Sequence, residues 1–342
     1  MYKLLKPLFF SFSAETAHKM VVNLLLFLRY IPFSGKIIRM LYHYKNPKLE
    51  KEVMGLKFDN PIGLAAGFDK NGDIYNDMAN FGFGFIEIGS LTPFEQIGNP
   101  KPRIFRLTQD NALINRMGIN NKGVRHAVRS LENKKPEVII GGNISKCSST
   151  PNDLAAKDYE KCFAQLYDFV DYFTINVSCP NVKGLTQLQN ISMLSEIVDR
   201  LTALRRFYDN YRPILLKVSP DLTNEQLDEV IELILVSGLD GVVAANTTLK
   251  RENLVSDPQI VKSAGDGGLS GAPLFDRTLE IIRYICKKSN GVLPVIGSGG
   301  ITTVDRAQEM LDAGASLVQI YTGFIYNGPG FVKQILKHLA NR

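Results

Sequence analysis

Thiol, ammonium and amide side chains recur where this chain should be most apolar, and their positions define the chemistry open to it. Cys179 sits in Asn176-Val-Ser-Cys-Pro-Asn181, just past an apolar run. A loop thiol beside cationic groups can have a lowered pKa and accept a proton near neutrality. The plainer alternative is a small buried residue, the commoner fate of a free cysteine, and Cys147, Cys162 and Cys286 fit that description. Ser178 is a second candidate by position, without a nearby histidine to activate it. The four histidines (His18, His43, His126, His338) lie far apart and the four cysteines form no CxxC pair. Metal chemistry and a disulfide scaffold are therefore excluded as readings.

Other polar groups interrupt apolar runs. Lys70 follows one, Asn143 ends another, Asn176 and Lys217 sit inside two more, and Asn246-Thr247-Thr248 closes a further one. One such residue is usually a satisfied structural group. Five aimed at one rim suit a planar ligand with alternating C=O and N–H groups, because an amide offers both donor and acceptor. The lysines could neutralise an anionic ligand or a reduced cofactor. Gly297-Ser-Gly-Gly-Ile301 and Tyr321-Thr-Gly-Phe324 leave backbone N–H groups free to approach a phosphate, although glycine also serves tight turns.

The elements that must position these residues alternate. Apolar runs occur at 61–67, 85–89, 137–143, 172–177, 213–218, 241–245, 293–297 and 316–321, separated by helical patterns such as 224–237 and 304–313. Strands separated by helices pair in parallel through crossovers, and eight such units predict a closed (β/α)8 TIM barrel. A doubly wound open sheet is the alternative, disfavoured because no GxGxxG opens the first helix. A hairpin around Gly55 precedes the barrel. Two long gaps, 92–136 and 247–292, would hang over the C-terminal face where active sites form. With 45% hydrophobic and 22% charged residues, the 342-residue chain is neither disordered nor polytopic.

The net charge of +6 is local. Residues 1–45 carry Lys3, Lys6, Lys19, Arg29, Lys36, Arg39 and Lys45 against Glu15 alone, so the remainder is formally neutral. A neutral body argues against a nucleic-acid partner. The same segment is apolar. Ser13 can cap a helix whose Ala17, Val21, Leu24, Leu25 and Leu28 share a face, and a second short helix is expected over 36–44. Its longest apolar run is about half of the ~20 residues a span requires. The expected organisation is a helical pair in residues 1–45 lying in the membrane interface, followed by a 46–342 barrel. A helical cap packed on the barrel is the competing reading.

Six motifs in order resemble the dihydroorotate dehydrogenases, and specifically their membrane-associated, quinone-dependent class. They are Leu64-Ala-Ala-Gly-Phe-Asp-Lys-Asn-Gly72, Ile114-Asn-Arg-Met-Gly118, Asn176-Val-Ser-Cys-Pro-Asn181, Ala245-Asn-Thr-Thr-Leu249, Gly267-Gly-Leu-Ser-Gly271 and Leu317-Val-Gln-Ile-Tyr-Thr-Gly323. The resemblance implies oxidation of dihydroorotate to orotate in pyrimidine synthesis, with one FMN as first electron acceptor and a membrane quinone as the second. It implies FMN contacts from Ala66, Gly67, Lys70, Ser90, Asn143, Asn176, Lys217, Ala245, Gly271, Gly300, Tyr321 and Thr322. Lys70, Asn115, Arg116, Met117, Gly118, Ile119, Asn176, Asn181, Asn246 and Thr247 would surround the substrate, with 115–119 as a closing loop. Cys179 would remove the C5 proton while hydride leaves C6, and Lys70 and Lys217 complete the catalytic set.

Three positions depart from that class. Cys179 stands where its base is serine, as in the soluble fumarate- or NAD-linked enzymes. Ala245 replaces a threonine, and Ile119 replaces a phenylalanine. A thiol, with a reference pKa of about 8.5, still serves as base. The N-terminal helices favour the membrane class, where His18, Arg106 and Tyr321 match positions lining a quinone tunnel. The expected protein is a monomer, peripheral at the cytoplasmic face of a bacterial inner membrane. Three other readings compete: a soluble fumarate-dependent enzyme, an FMN-dependent tRNA dihydrouridine synthase, and a non-catalytic membrane-binding barrel.

Overall fold

The structure is a computed structural model and describes residues 2–180, 187 and 190–341. Eight parallel strands close into a barrel: β3 (Ile62–Leu64), β4 (Phe85–Leu91), β7 (Ile139–Ile144), β8 (Tyr172–Asn176), β9 (Ile214–Val218), β10 (Gly241–Ala244), β12 (Val295–Ser298) and β13 (Leu317–Ile320). Five fall within the runs that the sequence marks, while β4 overruns its run by two residues and β7 and β12 overrun theirs by one. They follow one another around the barrel in chain order, and β13 pairs with β3 to close it. Helices between the strands form the outer ring. One of them, Asn224–Ser237, shows why its sequence folds locally. Thr223 and Gln226 make a capping box, apolar Leu227, Val230, Ile231 and Ile234 turn inward, and Gly238 ends the helix at φ 79°.

Antiparallel β1 (Lys51–Val53) and β2 (Leu56–Phe58) plug the N-terminal end of the barrel. Phe58 packs edge-on against Phe85 at 5.4 Å, in a layer with Tyr172, Leu215, Val243, Ile296 and Leu317. Large side chains here need small neighbours. A Cβ on Gly141 would lie 2.2 Å from the Tyr172 ring, so glycine is what lets that ring fill the interior.

The two long gaps are not plain loops. β5 (Ile104–Leu107) and β6 (Ala112–Asn115) come from the first, and β11 (Gly268–Gly271) comes from the second. They form one antiparallel sheet in the order β11-β6-β5. Its strands are only four residues each. Pairing between segments about 150 residues apart leaves no local periodicity to read.

The N-terminal segment differs from the expected pair in holding three helices: α1 (Tyr2–Ser11), α2 (Ala14–Leu28) and α3 (Ser34–Tyr42). Pro7 lies inside α1, which tertiary contacts hold. Tyr2 donates to the Ile325 carbonyl and Phe10 stands edge-on to Tyr326 at 5.4 Å. Ser13 caps α2 by accepting from Thr16 N at 3.2 Å. The expected single apolar face of α2 splits in two. Ala17 and Leu25 are buried on the barrel, whereas Leu24 is exposed. α3 starts two residues earlier than expected, at Ser34, whose hydroxyl donates to Leu28 O at 2.6 Å.

Candidate active site

A cavity opens at the C-terminal ends of the barrel strands, roofed by the β5-β6-β11 sheet. It holds about 1180 Å³ counted out to its mouth. The barrel brings Ala66, Gly67, Lys70, Ser90, Asn176, Cys179, Lys217, Ala245, Asn246, Thr247, Gly300, Tyr321 and Thr322 to its wall. The roof adds Asn115, Met117, Ile119 and Gly271. Three expected residues stand elsewhere. Asn143 lies beneath the wall, bonded to Ser90 and to Glu87. Gly118 is absent from the lining. Arg116 turns away, donating to Pro102 O at 3.1 Å and lying over the Phe105 ring. Asn181 falls outside the described residues.

The amides form a continuous chain. Asn176 Nδ2 donates to Ser90 Oγ at 2.8 Å, and Asn246 Nδ2 donates to Asn176 Oδ1 at 3.2 Å and Ser178 Oγ at 3.0 Å. Ser178 is fully buried in this network, which is the satisfied structural role, whereas Cys179 is half-buried at the cavity. Burial brings the Lys70 ammonium down to about 8, with Glu15 opposing and Arg103 reinforcing the shift. Its Nζ donates to Gly67 O at 2.5 Å.

The roof loop is tied to the N-terminal helices. Arg103 donates to Glu15 of α2 at 2.9 and 3.1 Å and to the carbonyls of Ile97 and Asn99. Its own carbonyl accepts from Arg116 N, and Asn99 N donates to Met117 O. His18 of α2 meets Phe68 at 5.0 Å, and Phe68 meets Tyr321 at 5.8 Å, so an aromatic line runs from the helices to the cavity wall. Burial, then the Lys70 charge, lowers His18 to about 3, and its imidazole is neutral at ordinary pH. Arg106 reaches α1 instead. It donates to Phe12 O at 2.6 Å and Phe9 O at 3.3 Å, satisfying carbonyls at the C-terminal end of that helix.

The sequence profile of the family "Dihydroorotate dehydrogenase" matches residues 48–342. The chain belongs to the dihydroorotate dehydrogenase family. A relative from Christiangramia forsetii named dihydroorotate dehydrogenase (quinone) is 47% identical over 343 residues, covering 100% of this chain and 99% of its own. One of the same name from Idiomarina loihiensis is 42% identical, covering 99% of this chain and 100% of its own. The crystal structure of an Eimeria tenella dihydroorotate dehydrogenase in complex with ferulenol superposes with a TM-score of 0.85. It is 34% identical and covers 96% of this chain and 90% of that one.

The cavity of this dehydrogenase fits FMN. Gln319 Oε1 is buried at the wall without a hydrogen-bond partner among the described residues, an acceptor left for a ligand N–H. At the ends of β12 and β13, Gly299, Gly300, Thr322 and Gly323 line the wall. Gly300 has φ 78°, and a Cβ there would come within 2.4 Å of the Phe275 backbone, so only glycine lets that turn stay close to a phosphate. Gln319 and Glu87 escaped the sequence reading. The usable signal for Glu87 was the one that marked Lys217: a charged residue inside an apolar strand.

Proposed function

We infer that the dehydrogenase oxidises dihydroorotate to orotate and passes the electrons through FMN to a membrane quinone. The observation that carries this reading is one cavity lined by Cys179, two lysines and five amides, connected by the Phe68 line to helices that expose apolar surface. Asn115, Asn176 and Asn246 supply donors and acceptors for the edge of a flat imide ring, and the Lys70 ammonium can meet its carboxylate. Cys179, as thiolate, takes the C5 proton. FMN bound there would take the C6 hydrogen with its electron pair, leaving the C5=C6 double bond, and would hand both electrons to the quinone. Lys217 places a positive charge where the cofactor gains a negative one.

Residues 1–45 are proposed as a lipid-facing segment. Leu4, Leu8, Phe27, Phe33 and Met40 are all more than half exposed, and the basic residues among them suit the anionic lipids of a cytoplasmic leaflet. No helix among the described residues is long and apolar enough to cross a membrane, which favours peripheral association. The chain is proposed to act as a monomer, and the neutral body supports the absence of a nucleic-acid partner.

The test is an anaerobic absorbance trace of purified protein. Dihydroorotate should bleach the flavin, and short-chain ubiquinone should restore its colour. Recovery with fumarate alone would assign the acceptor signalled by Cys179 and leave the helices another purpose. No bleaching would refute the substrate.

A further inference from the structure

Beneath the cavity lies a carboxylate that the reaction described so far does not use. Glu87 points from β4 into the barrel interior with no exposure. Its Oε1 accepts from Asn143 Nδ2 at 2.7 Å. Its Oε2 accepts from Gln319 Nε2 at 2.8 Å, Thr174 Oγ1 at 3.1 Å and Tyr172 OH at 3.3 Å. The Lys217 ammonium stands 4.0 Å from Oε1. Five partners from four other strands thus converge on one group.

A structural plug would not need this arrangement. The next layer down fills the same barrel with Phe, Leu, Ile and Val, and a buried ion network is often no more stabilising than apolar side chains of similar volume. What the carboxylate supplies is charge and direction. Lys217 has a 7% exposed side chain and lines the cavity, and a charge so desolvated is costly without an opposite charge beside it. The carboxylate also fixes an amide. With Nδ2 directed down at Glu87, Asn143 presents Oδ1 upward to the Ser90 hydroxyl, which in turn accepts from Asn176. The orientation of Asn143 therefore follows from Glu87, and the amide chain at the wall begins there.

We propose that Glu87 is a positioning residue for the oxidation: its carboxylate is the buried counter-charge that holds the Lys217 ammonium aimed at the cofactor cavity. The inference rests on FMN occupying that cavity. It makes Glu87 act through Lys217 and Asn143, never by touching substrate.

The experiment measures the two-electron potential of bound FMN with a redox dye and a chemical reductant, so that the identity of the organic substrate does not enter. In FMN-loaded Glu87→Gln the potential should fall, because Lys217 no longer offsets the charge that the cofactor gains. Reduction by dihydroorotate should slow roughly tenfold or more while the dissociation constant of dihydroorotate changes by less than about threefold. Glu87→Asp, which keeps the charge, should restore most of the potential. Thr174→Val removes one neutral donor at nearly constant volume and should shift the potential the same way by less. An unchanged or raised potential in Glu87→Gln at full FMN occupancy overturns the inference. If that variant does not fold, an unchanged potential in Thr174→Val overturns it equally. A colourless unmutated protein would sink the functional reading itself; bound FMN with an unmoved potential in the variants sinks this inference alone.

Discussion

The barrel interior and the N-terminal helices invert each other's chemistry. In the barrel, polar groups such as Glu87, Asn143, Thr174 and Gln319 are sealed inside an apolar shell, with partners arranged around them. In α1–α3, apolar groups such as Leu4, Leu24, Phe27 and Met40 face outward among lysines. Each arrangement is costly in water unless something completes it. A ligand completes the first, and a lipid surface completes the second under the proposed function. The two regions meet at polar points that include Glu15 with Arg103, Arg29 with Asp77 and Arg106 with the Phe9 and Phe12 carbonyls.

The largest expected effect breaks the barrel side alone. Cys179→Ala should slow flavin reduction by dihydroorotate by about 100-fold or more, with vesicle binding and thermal midpoint unchanged. Cys179→Ser should retain measurable reduction with its pH dependence moved upward, since a hydroxyl is the weaker acid. An unchanged stopped-flow pH profile would remove Cys179 from the role of base.

The helix side should break separately. Leu24→Glu combined with Phe27→Glu and Met40→Glu replaces three exposed apolar groups. Partition into anionic vesicles should fall about tenfold or more, and turnover with quinone in vesicles should fall with it. The anaerobic reductive step should keep its rate. Vesicle flotation reads the first outcome, and retained binding would reject the lipid-facing assignment.

The smallest effect lies where the regions join. Burial would raise the Glu15 carboxyl, but the Arg103 hydrogen bonds and charge, helped by Lys101 and Lys19, hold it below the usual carboxylate range. A depressed folded pKa means that this stabilisation is fully present above the unfolded value of about 4.3 and is lost as pH falls through the lower folded value. Glu15→Gln should therefore mimic acidification at neutral pH. Amide exchange over residues 97–103 should speed up by a few-fold, because Arg103 holds the Ile97 and Asn99 carbonyls. Unchanged exchange would show that the helices and the roof loop are energetically independent.

Much of this was legible in the chain. The eight barrel strands announce themselves as short apolar runs because they are buried on both faces, and Ser13 marks a helix start by capping chemistry that acts within a few residues. Lys70, Asn176, Lys217 and Asn246 stood out as polar groups at strand ends. The roof sheet was not legible, since its β6–β11 pairing couples four-residue segments distant in sequence. Arg116 was assigned to the substrate by its motif, yet its side chain follows the Pro102 carbonyl away from the cavity. Glu87 lies inside an otherwise apolar strand, where no motif marks it.

The sequence by itself determined the element order, the closed barrel and the rim of polar side chains, because hydrophobic periodicity and capping are local and survive without knowledge of neighbours. Only the tertiary structure decided which of those side chains converge. Barrel closure places β13 and β4 on either side of β3, so that Glu87 receives Gln319 across 232 residues of chain. It also splits α2 into a face packed on the barrel and a face turned outward. Such choices depend on distances between strands and on what lies across the interior, and no window of sequence contains them.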